Sequence, residues 1–496
     1  MGILVLDLGQ IIYTVLSTDS SIKKNFAYKS ALTISTYLMN FITFPHVSRV
    51  LGVEGIGLVS FVDNTVNYFL LFATMGINLI GVREIAAIRK DKDKCNQTFS
   101  NIFGLNFLFT VVALIVYIAC VSFIPQFHQY EELFYIGTAK ILFTTFLVEW
   151  FFTGLEDFRY ITVRSLVIKF LYVITVFICI RSGEDYKLYF ALTVAVVVIN
   201  AIINMVYVRN FVRFRFQSLL SLKYVKQNLI LGIYSIMTSM YLTFNVMYLG
   251  FVSNNTEVGY YTTAFKLYSV ILGLFTAFTN VMLPRMSSLL AEGEQEKFQS
   301  LINKSFSVVI TFCIPLILCS MILAPQIVYV LSGPGYEGAI LPMRIIMPAI
   351  LFVGIAQVLA VQVLMPMKKD KVLFKVSILG ALISVLINLL FVPYMQSKGT
   401  AVVLVCSEIT VTLVYVGYIL RHKLLTLHWK MVGVNFLYSL PCAFVCYICK
   451  GYIVYDCILI GLSILGCILC WGIIQVCFKT EIGVCVCLKI RKMKRL

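Results

Sequence analysis

Charge is what this chain has least of. Only 13% of its 496 residues are Asp, Glu, Lys or Arg, 60% are hydrophobic, and the mean hydropathy is +0.93. A soluble chain carries about 25% charged and about 45–50% apolar residues. The shortage excludes a water-soluble globular protein and leaves an integral membrane protein. Long polar segments are missing too: no stretch between apolar runs could hold a separate soluble domain. There is no nucleotide-binding glycine loop, metal-ligand set or nucleophile triad, so no cofactor or metal is expected and the chain is not read as an enzyme.

Residues 1–20, MGILVLDLGQIIYTVLSTDS, lack the basic n-region and small-residue cleavage site of a signal peptide, and Asp7 interrupts their apolar stretch. Leu6 stands where a myristoylation signal has Ser or Thr. They are read as a non-spanning leader or a start-site extension. The 15 cysteines lie mostly inside apolar runs such as CAFVCYIC and CILC, and none shows zinc-site spacing. They are read as small buried hydrophobes.

What is abundant is apolar sequence in runs of bilayer length, about 20 residues each. About fourteen transmembrane helices are expected, at 27–48, 57–82, 99–124, 134–154, 161–181, 187–208, 228–252, 259–283, 305–331, 341–366, 372–394, 399–420, 432–453 and 456–478. With the N-terminus inside, 31 of the 40 Lys and Arg residues fall at cytoplasmic ends and loops, five in external loops and four inside spans. That alternation predicts a multi-pass protein with both termini cytoplasmic. It also accounts for the net charge of +17 without nucleic acid. The expected organisation is a cytoplasmic leader (1–24), an N-terminal six-helix lobe (25–210), a basic linker (211–227), a C-terminal six-helix lobe (228–420), and two further helices with a basic tail (421–496).

The string FPHVSRVLGVEGIG (44–57) separates the first two spans, and its glycines predict a tight external connection over 50–57. Beyond it lies an internal repeat. Shifting the chain by 202 residues matches Gly57 with Gly259, Leu70 with Leu272, Thr74 with Thr276, Asn78 with Asn280, Arg83 with Arg285, Gln97 with Gln299 and Asn101 with Asn303. Spans two and eight both enter from outside, so the all-α architecture is expected as two parallel six-helix repeats plus two C-terminal helices. Ser60, Asp63, Asn67, Thr74 and Asn78 share one face of span two, within about a 60° arc. Thr262, Lys266, Ser269, Thr276 and Asn280 do so on span eight, and Thr33, Thr36, Asn40 and Thr43 on span one. Small hydroxylated residues also serve helix packing, but equivalent stripes in two halves favour a shared midplane cavity.

Four bases lie inside spans: Lys140, Lys169, Lys266 and Arg344. Each costs about 2.5–3.5 kcal/mol at a helix centre. Arg344 is close enough to its span end to snorkel. The buried acids are Asp63, Glu149 and Glu408. Lys140 and Glu149 sit half a turn out of phase and do not pair within their helix. The bases outnumber the acids, which favours an anionic substrate.

ITFPHVSRVLGVEGIGLVSF followed by YFLLFATMGINLIGVREIAAIRKDK resembles the N-terminal signature of Wzx-type polysaccharide flippases, within the multidrug/oligosaccharidyl-lipid/polysaccharide exporter superfamily. The likeness is specific over 24–101 and general beyond, and His46 stands where the family more often has an aromatic. It implies translocation of an undecaprenyl-diphosphate-linked oligosaccharide (an O-antigen or capsule repeat unit) across the bacterial cytoplasmic (inner) membrane. It further implies alternating access, ion-gradient drive, and a polysaccharide polymerase and chain-length regulator as partners. On that reading Lys140, Lys169 and Lys266 meet phosphate or acidic sugar, and Asn40, Asn67, Asn78, Ser269 and Asn280 meet sugar hydroxyls. Asp63, Glu149 and Glu408 are then ion-coupling candidates, and Arg49, Arg83 and Arg285 hold gates or loops. The rivals are a multidrug or cation antiporter of the same superfamily, expected to have an acidic cavity, and a polytopic polymerase, expected to have a long outer loop or a carboxylate pair.

Overall fold

A computed structural model describes residues 20–215, 223–239, 243–426 and 430–477. Among them there is no strand; the chain is a bundle of helices. In hydrocarbon every backbone N–H and C=O must bond within its own segment, and apolar runs answer that demand by coiling.

The first helix, α1 (Ser20–Thr74), has 55 residues, or about 80 Å if straight, far more than the roughly 30 Å of a bilayer core. It does not run straight. Gly52 (φ 70, ψ 175) breaks it, in a region open to glycine and strained for other residues. On one arm the Tyr28 carbonyl accepts a hydrogen bond from Thr162 Oγ1 at 3.0 Å. Beyond the other arm comes α2 (Ile77–Ile88), after which Arg89 pairs with Glu156 at 2.8 Å. Glu156 and Thr162 are neighbours along the chain, so α1 turns back at Gly52 and both its ends lie at one face. This corrects the expected connection over 50–57: one residue makes the turn, and 53–57 are already helical.

There follow α3 (Lys92–Phe123), the short α4 (Pro125–His128), α5 (Glu131–Thr144), α6 (Glu149–Gly154), α7 (Phe158–Cys179) and α8 (Tyr186–Val208). The second half of the chain holds α9 (Val225–Ser239), α10 (Thr243–Val252), α11 (Asn255–Ala291), α12 (Gln295–Ile322), α13 (Ala324–Ser332), α14 (Ile340–Ile346) and α15 (Ala349–Gln357). A π-helix (Val358–Leu364) extends α15, and α16 (Asp370–Arg421), α17 (Lys430–Tyr452) and α18 (Asp456–Cys477) complete the fold. Helix α16 repeats the device of α1. It breaks at Gln396 (φ 51, ψ −124), and a Cβ on Gly399 would lie 2.8 Å from the Phe391 carbonyl oxygen. The chain doubles back on itself there.

Ten helices among the described residues are long and apolar enough to cross a membrane, or eleven if the bent pair Glu337–Ile346 and Ala349–Leu364 is one span. The expected fourteen is not reached by this measure. Spans one and two fall in the broken α1, and eleven and twelve in the broken α16. Spans 228–252 and 341–366 are not single continuous helices.

One apolar core runs from Phe44 to Leu425 through both halves of the chain, and a second, rich in aromatics, surrounds Phe99, Trp150 and Phe151. The halves meet most closely where α1 crosses α11. A Cβ on Gly57 would collide with the Asn255 carbonyl and lie 2.8 Å from the Gly259 nitrogen; a Cβ on Gly259 would collide with the Val53 carbonyl. Only glycine permits that approach. Helix α17 packs on α12 and α18, and α18 also on α13. Phe444, Tyr447 and Ile473 on this pair face outward.

Candidate functional site

The second arm of α1, α5 and α11 each bring one charged side chain to nearly the same depth. Asp63 is eleven residues beyond Gly52, Lys140 nine beyond the start of α5, and Lys266 eleven beyond the start of α11. These offsets are about 14–16 Å at 1.5 Å per residue, close to the midplane of a 30 Å core.

Lys140 Nζ donates to Asp63 Oδ1 at 2.6 Å and to Asn67 Oδ1 at 2.8 Å, and Asn67 Nδ2 donates to Asp63 Oδ2 at 3.1 Å. Asp63 and Asn67 are one turn apart on the same face, so both can hold one ammonium. The Asp63 side chain stays 33% exposed, against 13% for Lys140, so the pair borders an accessible space. Lys266 forms no ion pair among the described residues. Its ammonium lies 5.0 Å from the centroid of the Phe44 ring, where the ring's negative face partly stabilises it. Lys140 thus engages the carboxylate, and Lys266 stands at similar depth with no ion-pair partner among the described residues.

A second charged group lies nearer the face that carries Tyr28. Arg164, 4% exposed, donates to Glu149 Oε1 at 2.5 Å, to Ser165 Oγ at 3.0 Å and to the Asn204 side-chain oxygen. The Asn204 amide donates onward to the Leu147 carbonyl. Lys169 reaches Thr36 Oγ1 at 2.5 Å. The sequence reading put Arg164 at a cytoplasmic end and omitted Asn204. The signal was available, since Arg164 lies inside span 161–181, one turn from Ile168 on a buried face.

The remaining candidates are scattered. Glu408 is buried, with the Tyr268 hydroxyl donating to it at 3.5 Å and no cation in ion-pair contact among the described residues. Lys266 and Glu408 are not joined by any described ion pair. Asn78 and Asn280 are exposed, Ser269 Oγ returns to the Lys266 carbonyl at 2.7 Å, and the side chain of Asn40 lies outside those described. Thr276 accepts from Gln357 Nε2 at 3.1 Å, so this part of the stripe serves packing. Arg344 donates to the Met321 carbonyl at 3.1 Å, near the end of α12, where carbonyls are unpaired. Arg83 lies by Glu84 and Gln227 at the surface, and Arg285 is half-buried.

Arg49 has a different position. Its guanidinium donates to Pro45 O at 2.9 Å and to Val330 O at 2.5 Å. Beside it Ser48 Oγ donates to Leu331 O at 3.2 Å, and Tyr336 Oη donates to Ser48 O at 2.9 Å. Adjacent residues of α1 are thereby fastened to the far half of the chain, at the Gly52 end of the bundle.

The family model described as "Polysaccharide biosynthesis protein" matches residues 22–290. Two relatives bear the name "Putative O-antigen transporter". One, from Escherichia coli (strain K12), is 26% identical over 414 residues, covering 82% of this chain and 98% of the relative. The other, from Shigella dysenteriae, is 24% identical over 398 residues, covering 79% and 98%. Among solved structures, lipid II flippase MurJ in its inward closed conformation aligns with a TM-score of 0.74 at 15% identity, over 92% of this chain and 100% of that one. An inward-facing multidrug resistance MATE transporter of the MOP superfamily aligns at 0.59 and 13%, over 80% and 94%. At such identities these two likenesses concern the fold.

Proposed function

The chain belongs to the polysaccharide biosynthesis protein family, and from that premise we propose that it carries a lipid-linked oligosaccharide across the bacterial inner membrane by alternating access. The proposed substrate is an undecaprenyl-diphosphate-linked repeat unit. The observation that carries the reading is a surplus of basic groups at mid-depth: Lys140 on the carboxylate of Asp63, and Lys266 with no ion-pair partner among the described residues.

A diphosphate headgroup with its sugars cannot cross hydrocarbon unaided, because each stripped polar group costs several kcal/mol. A cationic polar cleft offsets that cost. Lys140 uses two of its three donors on Asp63 and Asn67, which leaves one for phosphate oxygen. Lys266 keeps its donors free of carboxylate and in a medium where charges are weakly screened. An arriving anion competes with Asp63 for Lys140, so binding and release can be tuned by one acid. The same surplus disfavours a cation antiporter, whose cargo it would repel.

In this reading 25–210 and 228–420 are the two moving lobes, joined by 211–227, with 421–496 attached outside them. The contacts of Ser48 and Arg49 with 330–331 close the outer end. Glu408, buried beside Tyr268 without a cation, is the preferred ion-coupling group, since a carboxyl in that position needs a proton or a bound cation. Asp63 and Glu149 already hold cationic partners.

Proteoliposomes containing the purified chain and a fluorescent undecaprenyl-diphosphate oligosaccharide test the proposal. Quenching from outside should show time-dependent movement of the label between leaflets, abolished in Lys140→Gln/Lys266→Gln. Movement no faster than in protein-free vesicles, with folded protein present, would overturn it.

A further inference from the structure

All thirteen cysteines within the described residues are free, and by composition they read as small apolar packing. Three of them do something more specific. Cys319 of α12, Cys446 of α17 and Cys467 of α18 turn their sulfurs to one point. Cys467 Sγ lies 3.4 Å from Cys319 Sγ and 3.5 Å from Cys446 Sγ, and all three sulfurs fall within 4.8 Å of one another. Cys442, one turn before Cys446, adjoins them: its thiol donates to the Cys467 carbonyl at 3.7 Å, while Cys467 Sγ donates to the Cys442 carbonyl at 3.4 Å.

Sulfurs sharing one metal ion at about 2.3 Å are held about 3.8–4.0 Å apart in tetrahedral or trigonal geometry. Two of the observed separations, 3.4 and 3.5 Å, fall a few tenths of an ångström short of that range, and the third lies within 4.8 Å. Apolar side chains of Leu323, Leu459, Ile322, Ile327 and Ile453 surround the cluster, and the converging side-chain donors are sulfur. Such a set selects thiophilic ions, zinc(II) or copper(I), over hard cations that need oxygen.

We propose that Cys319, Cys446 and Cys467 form a thiolate site for a thiophilic d10 metal ion, which clamps the C-terminal helix pair to α12. On binding, each ligating thiol releases its proton to solvent and its sulfur forms one bond to the metal. No electron transfer is required. Cys442 would have to turn its sulfur into the cluster to give zinc(II) the four it prefers; copper(I) is satisfied by three. The site is independent of what the protein transports.

The test uses the full chain purified in detergent under reducing conditions, offered zinc(II) or copper(I) separately and desalted, with metal content read by mass spectrometry. About one ion per chain is expected, falling at least tenfold in Cys467→Ser and unchanged in Cys457→Ser, whose exposed thiol lies outside the cluster. Loss in Cys442→Ser as well assigns zinc(II), and retention assigns copper(I). Should Cys467→Ser fail to fold, alkylation of the wild-type chain decides. The three cysteines should be protected by the bound ion and exposed by a thiol-competitive chelator. A folded wild type that binds neither ion, a Cys467→Ser chain that keeps its metal, or a metal-free chain with Cys467 in a disulfide would overturn the proposal.

Discussion

Gly57 and Gly259, 202 residues apart, each press against the backbone of the other's helix. Gly57 faces the carbonyl of Asn255, and Gly259 faces that of Val53. Adding 202 to Gly57 gives Gly259 and subtracting 202 from Asn255 gives Val53, so the two contacts exchange as a two-fold axis between the helices requires. Both helices begin at the same end of the bundle, so the axis runs along the membrane normal and the repeat is parallel.

Gly57→Leu should therefore be severely destabilising. The new side chain meets main chain, not the tip of a flexible side chain, and overpacking of this kind costs about 1–3 kcal/mol or more. Gly417→Ala, which enters open space, should be neutral. Thermal unfolding of the detergent-purified variants, followed by size-exclusion chromatography, measures both.

Asp63→Leu alone should lower stability by about 1–3 kcal/mol, a figure already reduced for the partial exposure of the carboxylate. The double variant Asp63→Leu/Lys140→Met should recover most of that loss, because no charge is left without its partner. Transport should stay absent in the double variant. Recovery of both together would show that the pair serves folding only.

Lys266→Glu should leave the amount of folded protein near normal and abolish surface polysaccharide in a complemented deletion strain, while Lys266→Arg should retain much activity. Adding Glu408→Lys to Lys266→Glu should not rescue it, since no described ion pair joins these residues. A rescued double variant would reinstate that pair.

Arg49→Ala should loosen the fastening between α1 and 330–336. Amide exchange measured by mass spectrometry should rise several-fold in peptides covering 46–52 and 329–336. Arg83→Ala, at the opposite end, should leave those peptides unchanged.

Helices were legible in the sequence because lipid leaves the backbone few alternatives; the recurrence of Gly57 as Gly259 was legible too, but not that the two helices cross there, which depends on how the halves face each other. The turn at Gly52 was read too broadly. Glycine, proline and charge in 44–57 look like a loop, yet one residue in a left-handed conformation suffices. Lys140 and Asp63 were each identified, but their union spans 77 positions and depends on how two helices face each other. Arg164 counts among the bases at cytoplasmic ends by its position along the chain; packing of α7 against α8 buries it with Asn204. The three converging cysteines come from three helices, and no spacing rule along a chain can reveal them.

The attachment of α17 and α18 has a mechanical consequence. The pair packs mainly on α12 and α13 and turns the rest of its surface outward, so it behaves as a fin fixed to one side of the molecule. Any rotation of that side during transport must sweep the fin through the acyl chains and displace them. Under the proposed alternating access, bilayer viscosity then enters the rate directly, and turnover becomes a property of the membrane as much as of the binding site.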